Sequence, residues 1–272
     1  MSLLISAVLS HGAEQLGDAI DAEILLAEAL GIARDRLRLY PDQVVSTDQM
    51  AKFNRFLQAR MLHQPVSQII GHRDFWKHRF IVTPDVLDPR PDTETLVEQA
   101  LGLAPKNRIL DLGTGSGCIV LSLLDEWQNA TGVGVDISTA ALKVAKQNAT
   151  NLGVTDRIEL VEGDWFAPLS DQFDLIVSNP PYITAQEMQH LDADVRDWEP
   201  RIALTPEGDG LDAYRIICAQ AGAYLQSSGH LAVEIGHQQG AAVAQMMSLA
   251  GFADIQIIQD LNRKDRVVIG VI

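Results

Sequence analysis

Asn179-Pro180-Pro181-Tyr182 follows directly on the apolar run Phe173-Asp174-Leu175-Ile176-Val177-Ser178, so one carboxamide stands on a stiff turn at the end of a strand. Two successive prolines hold φ at about −65° and remove two backbone donors, which leaves neighbouring carbonyls free to accept hydrogen bonds from a ligand. A rigid corner lined with acceptors suits an NH2 group. Asn179, Pro180, Pro181 and Tyr182 are therefore the candidate substrate-holding residues, set against the plainer reading of a proline turn that closes a core strand. Tyr182 suits either of two jobs, packing along a substrate side chain or pinning the loop.

A second segment with chemistry lies upstream. Ile109-Leu110-Asp111-Leu112-Gly113-Thr114-Gly115-Ser116-Gly117-Cys118 reads as a buried strand, a tight glycine turn and a helix start. Glycines at 113, 115 and 117 let backbone approach a ligand where a Cβ would clash, and a helix N-terminus offers unpaired N–H groups there. The dinucleotide fingerprint G-x-G-x-x-G needs a third glycine at position 118, where Cys118 stands, so NAD and FAD are disfavoured. The strand 131–135 ends in Asp136, a carboxylate suited to both hydroxyls of a ribose. The strand 158–162 leads into Gly163-Asp164-Trp165, where an acid can take an adenine amino group and an indole can cover the ring. Singly, each has an ordinary reading: a turn or helix cap for the acids, core packing for Trp165. Together, Asp111, Asp136 and Asp164 at three strand ends and the Asn179 corner at a fourth describe the ligand edge of a parallel sheet.

Periodicity supplies the elements that position these groups. Helical spacing over 19–30 (Ile20, Ile24, Ala27, Leu30) and 47–62 (Met50, Phe53, Leu57, Met61) predicts a small helical bundle closed by Pro65. The start of the chain, without a basic n-region, reads as a first helix and not as a signal peptide. Residues 75–82, rich in aromatic and β-branched types, predict a hairpin, and Pro84, Pro89 and Pro91 a stiff connector and candidate hinge. Strands and helices then alternate, with helices over 118–127, 139–152, 211–225 and 238–250 and late strands over 230–235, 253–259 and 266–271, which predicts a mostly parallel sheet. The link 260–265 is too short for a crossover helix, so the final strand runs antiparallel. The expected domains are a helical bundle over 1–72, a hairpin and connector over 73–90, and a catalytic domain over 91–272.

Charge narrows the partners. Of the formal net charge of −15 over 272 residues, −1 falls in residues 1–91 and −14 in 92–272. Nucleic-acid binding relies on Lys and Arg to neutralise phosphates, so stable binding to DNA or RNA is not expected and a basic protein is the better partner. One basic run, Lys52, Arg55, Arg60, Arg73, Lys77 and Arg79 against Asp74, is either a docking surface or a solvated face. Cys118 and Cys218 lack metal-ligand companions and the seven histidines show no ligand spacing, so neither a metal nor a disulfide is expected. No segment is long enough to cross a bilayer, and the expected location is cytoplasmic.

The order Asp-Leu-Gly-Thr-Gly-Ser-Gly, Val-Asp-Ile-Ser, Gly-Asp-Trp and Asn-Pro-Pro-Tyr resembles class I S-adenosylmethionine-dependent methyltransferases that act on a planar nitrogen. The segments Gln68-Ile69-Ile70-Gly71, Val86-Leu87-Asp88-Pro89-Arg90-Pro91-Asp92-Thr93-Glu94, Trp198-Glu199-Pro200-Arg201-Ile202-Ala203-Leu204 and Asp209-Gly210-Leu211 narrow this to a resemblance to the release factor glutamine methyltransferases, the PrmC/HemK family. Asp88 and Trp198 depart from the residues commonest there. The resemblance implies an α/β fold: a Rossmann-like seven-stranded domain with its last strand antiparallel, after a helical leader that recognises substrate. It implies methyl transfer from S-adenosylmethionine, leaving S-adenosylhomocysteine, to the side-chain amide of the Gly-Gly-Gln glutamine in class I peptide chain release factors. In that reading residues 113–117 (Gly113, Thr114, Gly115, Ser116, Gly117) cradle the methionine part of the cofactor and Asp111 lies near its ammonium group. Asp136 takes the ribose, Asp164 and Trp165 the adenine, and Asn179 borders both cofactor and substrate. Thr93 or Glu94 caps the following helix, within an elbow that closes over the cofactor, and Glu199-Pro200 borders a substrate entrance behind a flap over 183–198. The competing reading is an N-methyltransferase of an exocyclic base amine, whose NH2 the same corner would hold after base flipping.

Overall fold

The computed structural model describes residues 3–272; the chain forms two compact units, one reaching His72 and including 192–198, the other comprising 73–191 and 199–272. Residues 73–90, expected as a connector, fall inside the second unit.

In the first unit β1 (Leu3–Leu4) leads into α1 (Ile5–Leu16), α2 (Ala19–Leu30) and α3 (Arg36–Leu39). Then β2 (Val44–Val45), antiparallel to β1, precedes α4 (Thr47–Met61) and α5 (Val66–Ile70). The expected first helix is thus α1, entered through a short strand; Met1 and Ser2 lie outside the described residues. Asp18 caps α2 by accepting from the Ile20 and Asp21 amides at 2.7 and 3.0 Å, and Ser46 with Gln49 closes a capping box on α4. Of the predicted stripe on α2, Ala27 and Leu30 are buried, but the buried face is wider and shifted. Ala22, Leu25, Leu26 and Ala29 face the core, whereas Ile20 is 57% exposed, as is Met61 of α4 at 54%. Because α2 is apolar on several sides, spacing allowed more than one stripe, and packing against α1 and α4 selected one.

From the first unit's His72 the chain enters β3 (His72–Phe75) and β4 (His78–Ile81), a hairpin that starts earlier than predicted because Trp76 takes the turn at φ +54°. The proline-rich stretch after it is anchored, since Val86 is buried with Val82, Ala141 and Val144. The succession is α6 (Glu94–Leu101), β5 (Arg108–Leu112), α7 (Cys118–Glu126), β6 (Thr131–Asp136), α8 (Thr139–Leu152), β7 (Ile158–Glu162) and β8 (Phe173–Ser178). It continues through α9 (Ala193–Arg196, in the first unit), α10 (Arg201–Leu204), α11 (Asp212–Tyr224), β9 (Leu225–Glu234), α12 (Gly240–Leu249), β10 (Ala253–Gln259) and β11 (Asp265–Val271). β9 starts at Leu225 and not at 230, because Leu225 pairs with Phe173 ahead of a bulge; pairing, not the polar composition of 226–229, decides that end.

The seven strands lie in the order β10-β11-β9-β8-β5-β6-β7. β5 to β9 are mutually parallel where they pair, and β11 runs antiparallel to both its neighbours, as the short link before it predicts. Alternate strand residues serve two cores. Ile109, Leu175, Val177, Ala232 and Val267 pack with α6 and α7, while Leu110, Ile176, Leu231, Val233 and Val268 pack with α11 and α12. The chain leaves β5 for β6 on one side and later returns as β8 on the other, so the crevice at the carboxyl ends of β5 and β8 is the switch point where α/β folds bind ligands.

A close approach in the helical unit yields a test. A Cβ on Gly12 of α1 would come within 2.6 Å of Cζ of Phe53, which is fully buried. Alanine would gain about 1 kcal/mol of helix propensity but overpack the core at a cost of roughly 1 to 3 kcal/mol, so Gly12→Ala is expected to lower stability. A higher unfolding midpoint in urea for the variant than for the wild type would show that the core yields.

Candidate active site

Leu112 lies opposite Ser178 in the β5–β8 register, and the Ser178 hydroxyl donates to the Leu112 carbonyl at 2.7 Å. The glycine turn and the Asn179 corner are therefore neighbours. They border a cavity of about 280 Å³ whose wall includes Gly113, Thr114, Gly115, Ser116, Asp136, Asp164, Trp165, Asn179 and Pro181. Asp111, Gly117, Pro180 and Tyr182 are not brought to that wall.

The three loop glycines differ in what they do. Gly113 and Gly115 have φ of +69° and +55°, and a Cβ on either would meet no atom closer than 4.0 Å, so each bares backbone toward open space. At Gly117 a Cβ would stand 2.9 Å from Leu121 and 3.4 Å from Ala145, which makes it a packing glycine between α7 and α8. The loop amides are mostly committed: Gly113 and Thr114 donate to the Val135 carbonyl, Gly115 to Asp136 at 2.8 Å and Gly117 to the Thr114 carbonyl. A phosphate would find those donors taken, which separates this loop from a pyrophosphate cradle. The charged side chains on the wall are Asp85, Asp88, Asp136, Asp164 and Arg90, and Arg90 is paired with buried Glu199 at 2.6 Å. An acidic wall suits a cationic ligand.

Asp111 lies beneath the loop, fully buried. Its Oδ2 accepts from the Thr114 hydroxyl at 2.7 Å, its Oδ1 has no hydrogen-bond partner, and burial raises its pKa to about 7 against the lowering effect of Thr114. Asp136 accepts at Oδ2 from Gly115 and at Oδ1 from the Ser138 amide at 2.9 Å, so it knits the loop to the start of α8 while each oxygen keeps a second acceptor site; burial is the main cause of its raised pKa. Trp165 borders the cavity at φ +50°, a left-handed conformation uncommon for a bulky residue, beside exposed Asp164.

At the corner, Asn179 Nδ2 donates to the Thr93 hydroxyl at 3.2 Å. The capping role read for Thr93 and Glu94 is not the one the structure gives them. Thr93 makes no side-chain bond to α6 and is 2% exposed, and Glu94 accepts from the Trp76 amide at 2.8 Å. Tyr182 turns away from the cavity: its hydroxyl stands 3.5 Å from Glu234 Oε1, and its carbonyl accepts from Gln239 at 3.0 Å, which matches the loop-pinning alternative. Glu234 itself, missed in the sequence, is an acid at the end of the apolar run Leu231-Ala232-Val233, and that lone acid was the available signal. The segment 183–198 is not one flap: 192–198 belongs to the first unit, where Trp198 donates to the Leu62 carbonyl at 3.1 Å and Asp194 meets Arg60 at 3.7 Å. In the basic run, Lys52 pairs with Glu28 and Arg60 with Asp21 in the first unit, and Arg73 with Asp88, Lys77 with Glu126 and Arg79 with Asp74 in the second.

Residues 7–71 match the family described as PrmC N-terminal domain, and residues 83–195 the one described as Methyltransferase small domain. The chain is 50% identical over 250 residues to the release factor glutamine methyltransferase of Cereibacter sphaeroides, covering 92% of this chain and 90% of that one. With the enzyme of the same name from Caulobacter vibrioides the identity is 41% over 281 residues, covering 100% and 97%. The chain belongs to the release factor glutamine methyltransferase family. A solved methyltransferase from Pyrococcus furiosus shares the fold, with a TM-score of 0.56 at 16% identity over 80% of this chain and 98% of that one. The resemblance read from the Arg-Pro-Asp-Thr-Glu and Asn-Pro-Pro-Tyr motifs is thereby borne out. No helix among the described residues of this glutamine methyltransferase family member is long and apolar enough to cross a membrane.

The buried acid sets a pH dependence. Burial lifts Glu234 from 4.5 to about 7, opposed by hydrogen bonding from Thr93 and Tyr182 and by the charge of Arg266. Between those values the unfolded chain releases the proton and the folded chain keeps it, so stability falls as pH rises through the window and levels off above it, by about 3 kcal/mol in all. Glu234→Gln is expected to gain on the wild type by that amount from about pH 4.5 to pH 8 in urea unfolding. A difference between the two that does not vary with pH would exclude a proton held there.

Proposed function

We propose that this chain transfers the methyl group of S-adenosylmethionine to the side-chain amide nitrogen of the glutamine in the Gly-Gly-Gln motif of class I peptide chain release factors, in the cytoplasm. The observation that carries the reading is Asn179: its NH2 side is engaged by buried Thr93, which leaves its oxygen as an acceptor on a double-proline corner at the rim of an acid-walled cavity. Family membership supplies the substrate class. The cofactor fits the residues present, since two glycines bare the backbone, the amides of Gly113, Thr114, Gly115 and Gly117 are already bonded, and the wall is acidic enough for a ligand with sulfonium and ammonium charges. Gly113–Ser116 would hold its methionine part, Asp136 its ribose, and Asp164 with Trp165 its adenine. Bound there, it supplies an electrophilic methyl group.

The chain's own residues then have a positioning task. A carboxamide nitrogen is a weak nucleophile because its lone pair is delocalised into the carbonyl. The Asn179 side-chain oxygen and the Pro180 carbonyl accept its two N–H bonds and point the nitrogen at the methyl carbon. Alignment is worth roughly 7 to 11 kcal/mol, whereas a general base contributes about 10²- to 10⁴-fold, so positioning dominates and no early base is needed. As the C–N bond forms, positive charge grows on nitrogen and both acceptors hold its protons more tightly than in the ground state. The proton leaves late, to water. The helical residues 1–72 recognise the protein substrate, and the acidic catalytic half disfavours nucleic acid, with no metal called for.

Methyl transfer from radiolabelled S-adenosylmethionine, offered to a release factor, to its Gly-Gly-Gln→Gly-Gly-Ala variant and to bulk rRNA and DNA, tests this. Label is expected on the unmodified factor alone, with Asn179→Ala lowering it by about 100-fold or more. Label on nucleic acid and none on the factor would instead establish base methylation.

A further inference from the structure

The wall of the cavity carries two large apolar side chains that folding leaves exposed, Ile137 and Ile202. Ile137 follows Asp136 at the end of β6, on the side read as the ribose site. Ile202 lies on α10, and at 57% exposed it joins none of the hydrophobic cores among the described residues. The turn that bears it is stitched to the chain leaving the Asn-Pro-Pro-Tyr corner. Ile183, the residue directly after Tyr182, donates its amide proton to the Leu204 carbonyl at 3.0 Å and accepts at its own carbonyl from the Thr205 hydroxyl, and the Ala185 amide donates to the Gly208 carbonyl at 3.2 Å. Within the turn Arg201 pairs with Glu207 at 2.6 Å, the Glu207 amide donates to the Thr205 hydroxyl at 2.8 Å, and Leu204 is buried. Ile202 therefore stands on a closed, braced turn that is fixed to the Asn179 corner.

A large apolar side chain held exposed at a cavity contributes only when a ligand covers it, and one that is already braced gives up little freedom when that happens. The substrate reading supplies the ligand. In Gly-Gly-Gln the residues before the target glutamine have no side chain, so their backbone can approach a wall more closely than that of any other residue. We propose that Ile202 is a specificity-determining residue: it packs against the backbone of the glycine that precedes the target glutamine and fills the space a Cβ there would need. This rests on the release factor reading and adds to it the residue that enforces the glycine. Asn179 then selects the carboxamide, Ile202 selects the bare backbone beside it, and the bonds through Ile183 keep the two in register.

The experiment compares methyl transfer to a release factor and to its Gly-Gly-Gln→Gly-Ala-Gln variant by the wild-type enzyme and by Ile202→Ala. The wild type is expected to prefer the unmodified factor in kcat/KM by roughly 30-fold or more, within the range that one methyl group is worth in a fitted site. Ile202→Ala should shrink that preference by about fivefold or more, because it opens room for the methyl group. It should also weaken use of the Gly-Gly-Gln factor about three- to tenfold, chiefly through KM, as apolar contact made equally in ground and transition states is lost. The affinity for S-adenosylmethionine, read by calorimetry, should move less than about twofold. A wild type that accepts both factors equally, or a preference that Ile202→Ala leaves unchanged, would overturn the proposal; in the second case glycine is needed for its own backbone conformation. A loss confined to cofactor affinity would overturn it too, by assigning Ile202 to the cofactor. Should Ile202→Ala fail to fold, Ile202→Phe reads the same contact by crowding the glycine, and a wild-type kcat/KM on the Gly-Gly-Gln factor would be the refuting result. No label on either factor from the wild-type enzyme would instead sink the substrate reading itself.

Discussion

The parallel pairing of β5 with β8 is the constraint from which the site follows. Leu112 and Ser178 face each other at the last rung, tied by a side-chain hydrogen bond, and each chain then leaves the sheet in a turn that its sequence makes stiff. One turn is built of glycines, the other of prolines. A slip of one residue would turn the alternating residues of β8 to the opposite cores, moving Leu175 and Val177 from the α6–α7 side to the α11–α12 side. Two hydrophobic layers thus hold the register, and the register holds Asn179 beside the glycine loop.

Electrostatics then selects the kind of ligand. The loop spends its amides on the Val135 carbonyl, Asp136 and the Thr114 carbonyl, and the cavity wall carries several carboxylates against one arginine that is itself paired with Glu199. A glycine-rich turn after a first strand is shared by phosphate-binding and phosphate-free sites. Committed amides and surrounding acids separate the two, and both features depend on where the end of β6 lies.

Burying Asp111 and Glu234 beneath this edge works against stability, because desolvation opposes their ionisation at neutral pH. Such groups are retained where their geometry has a use. Asp111 braces Thr114 under the glycine turn, and Glu234 gathers Thr93, Tyr182 and the nearby charge of Arg266 behind the Asn179 corner. Neither acid is among the residues that line the cavity, so their effect passes through the residues they hold.

By itself the sequence determined the helix and strand order, the antiparallel last strand, the cavity's glycine and Asn-Pro-Pro-Tyr turns, and Asp136, Asp164 and Trp165 at its border. Local rules suffice for these: period, turn chemistry, loop length and the positions of acids after strands. Only the tertiary structure decided which face of α2 is buried, where β9 begins, that Asp111 and Gly117 support the loop from behind, that Tyr182 turns to Glu234, and that Thr93 meets Asn179 and caps nothing. Each of these is a choice between alternatives of similar local energy. The choice is made by partners distant in the chain, such as a residue 86 positions away bonding the Asn179 amide, and no local pattern records such a partner.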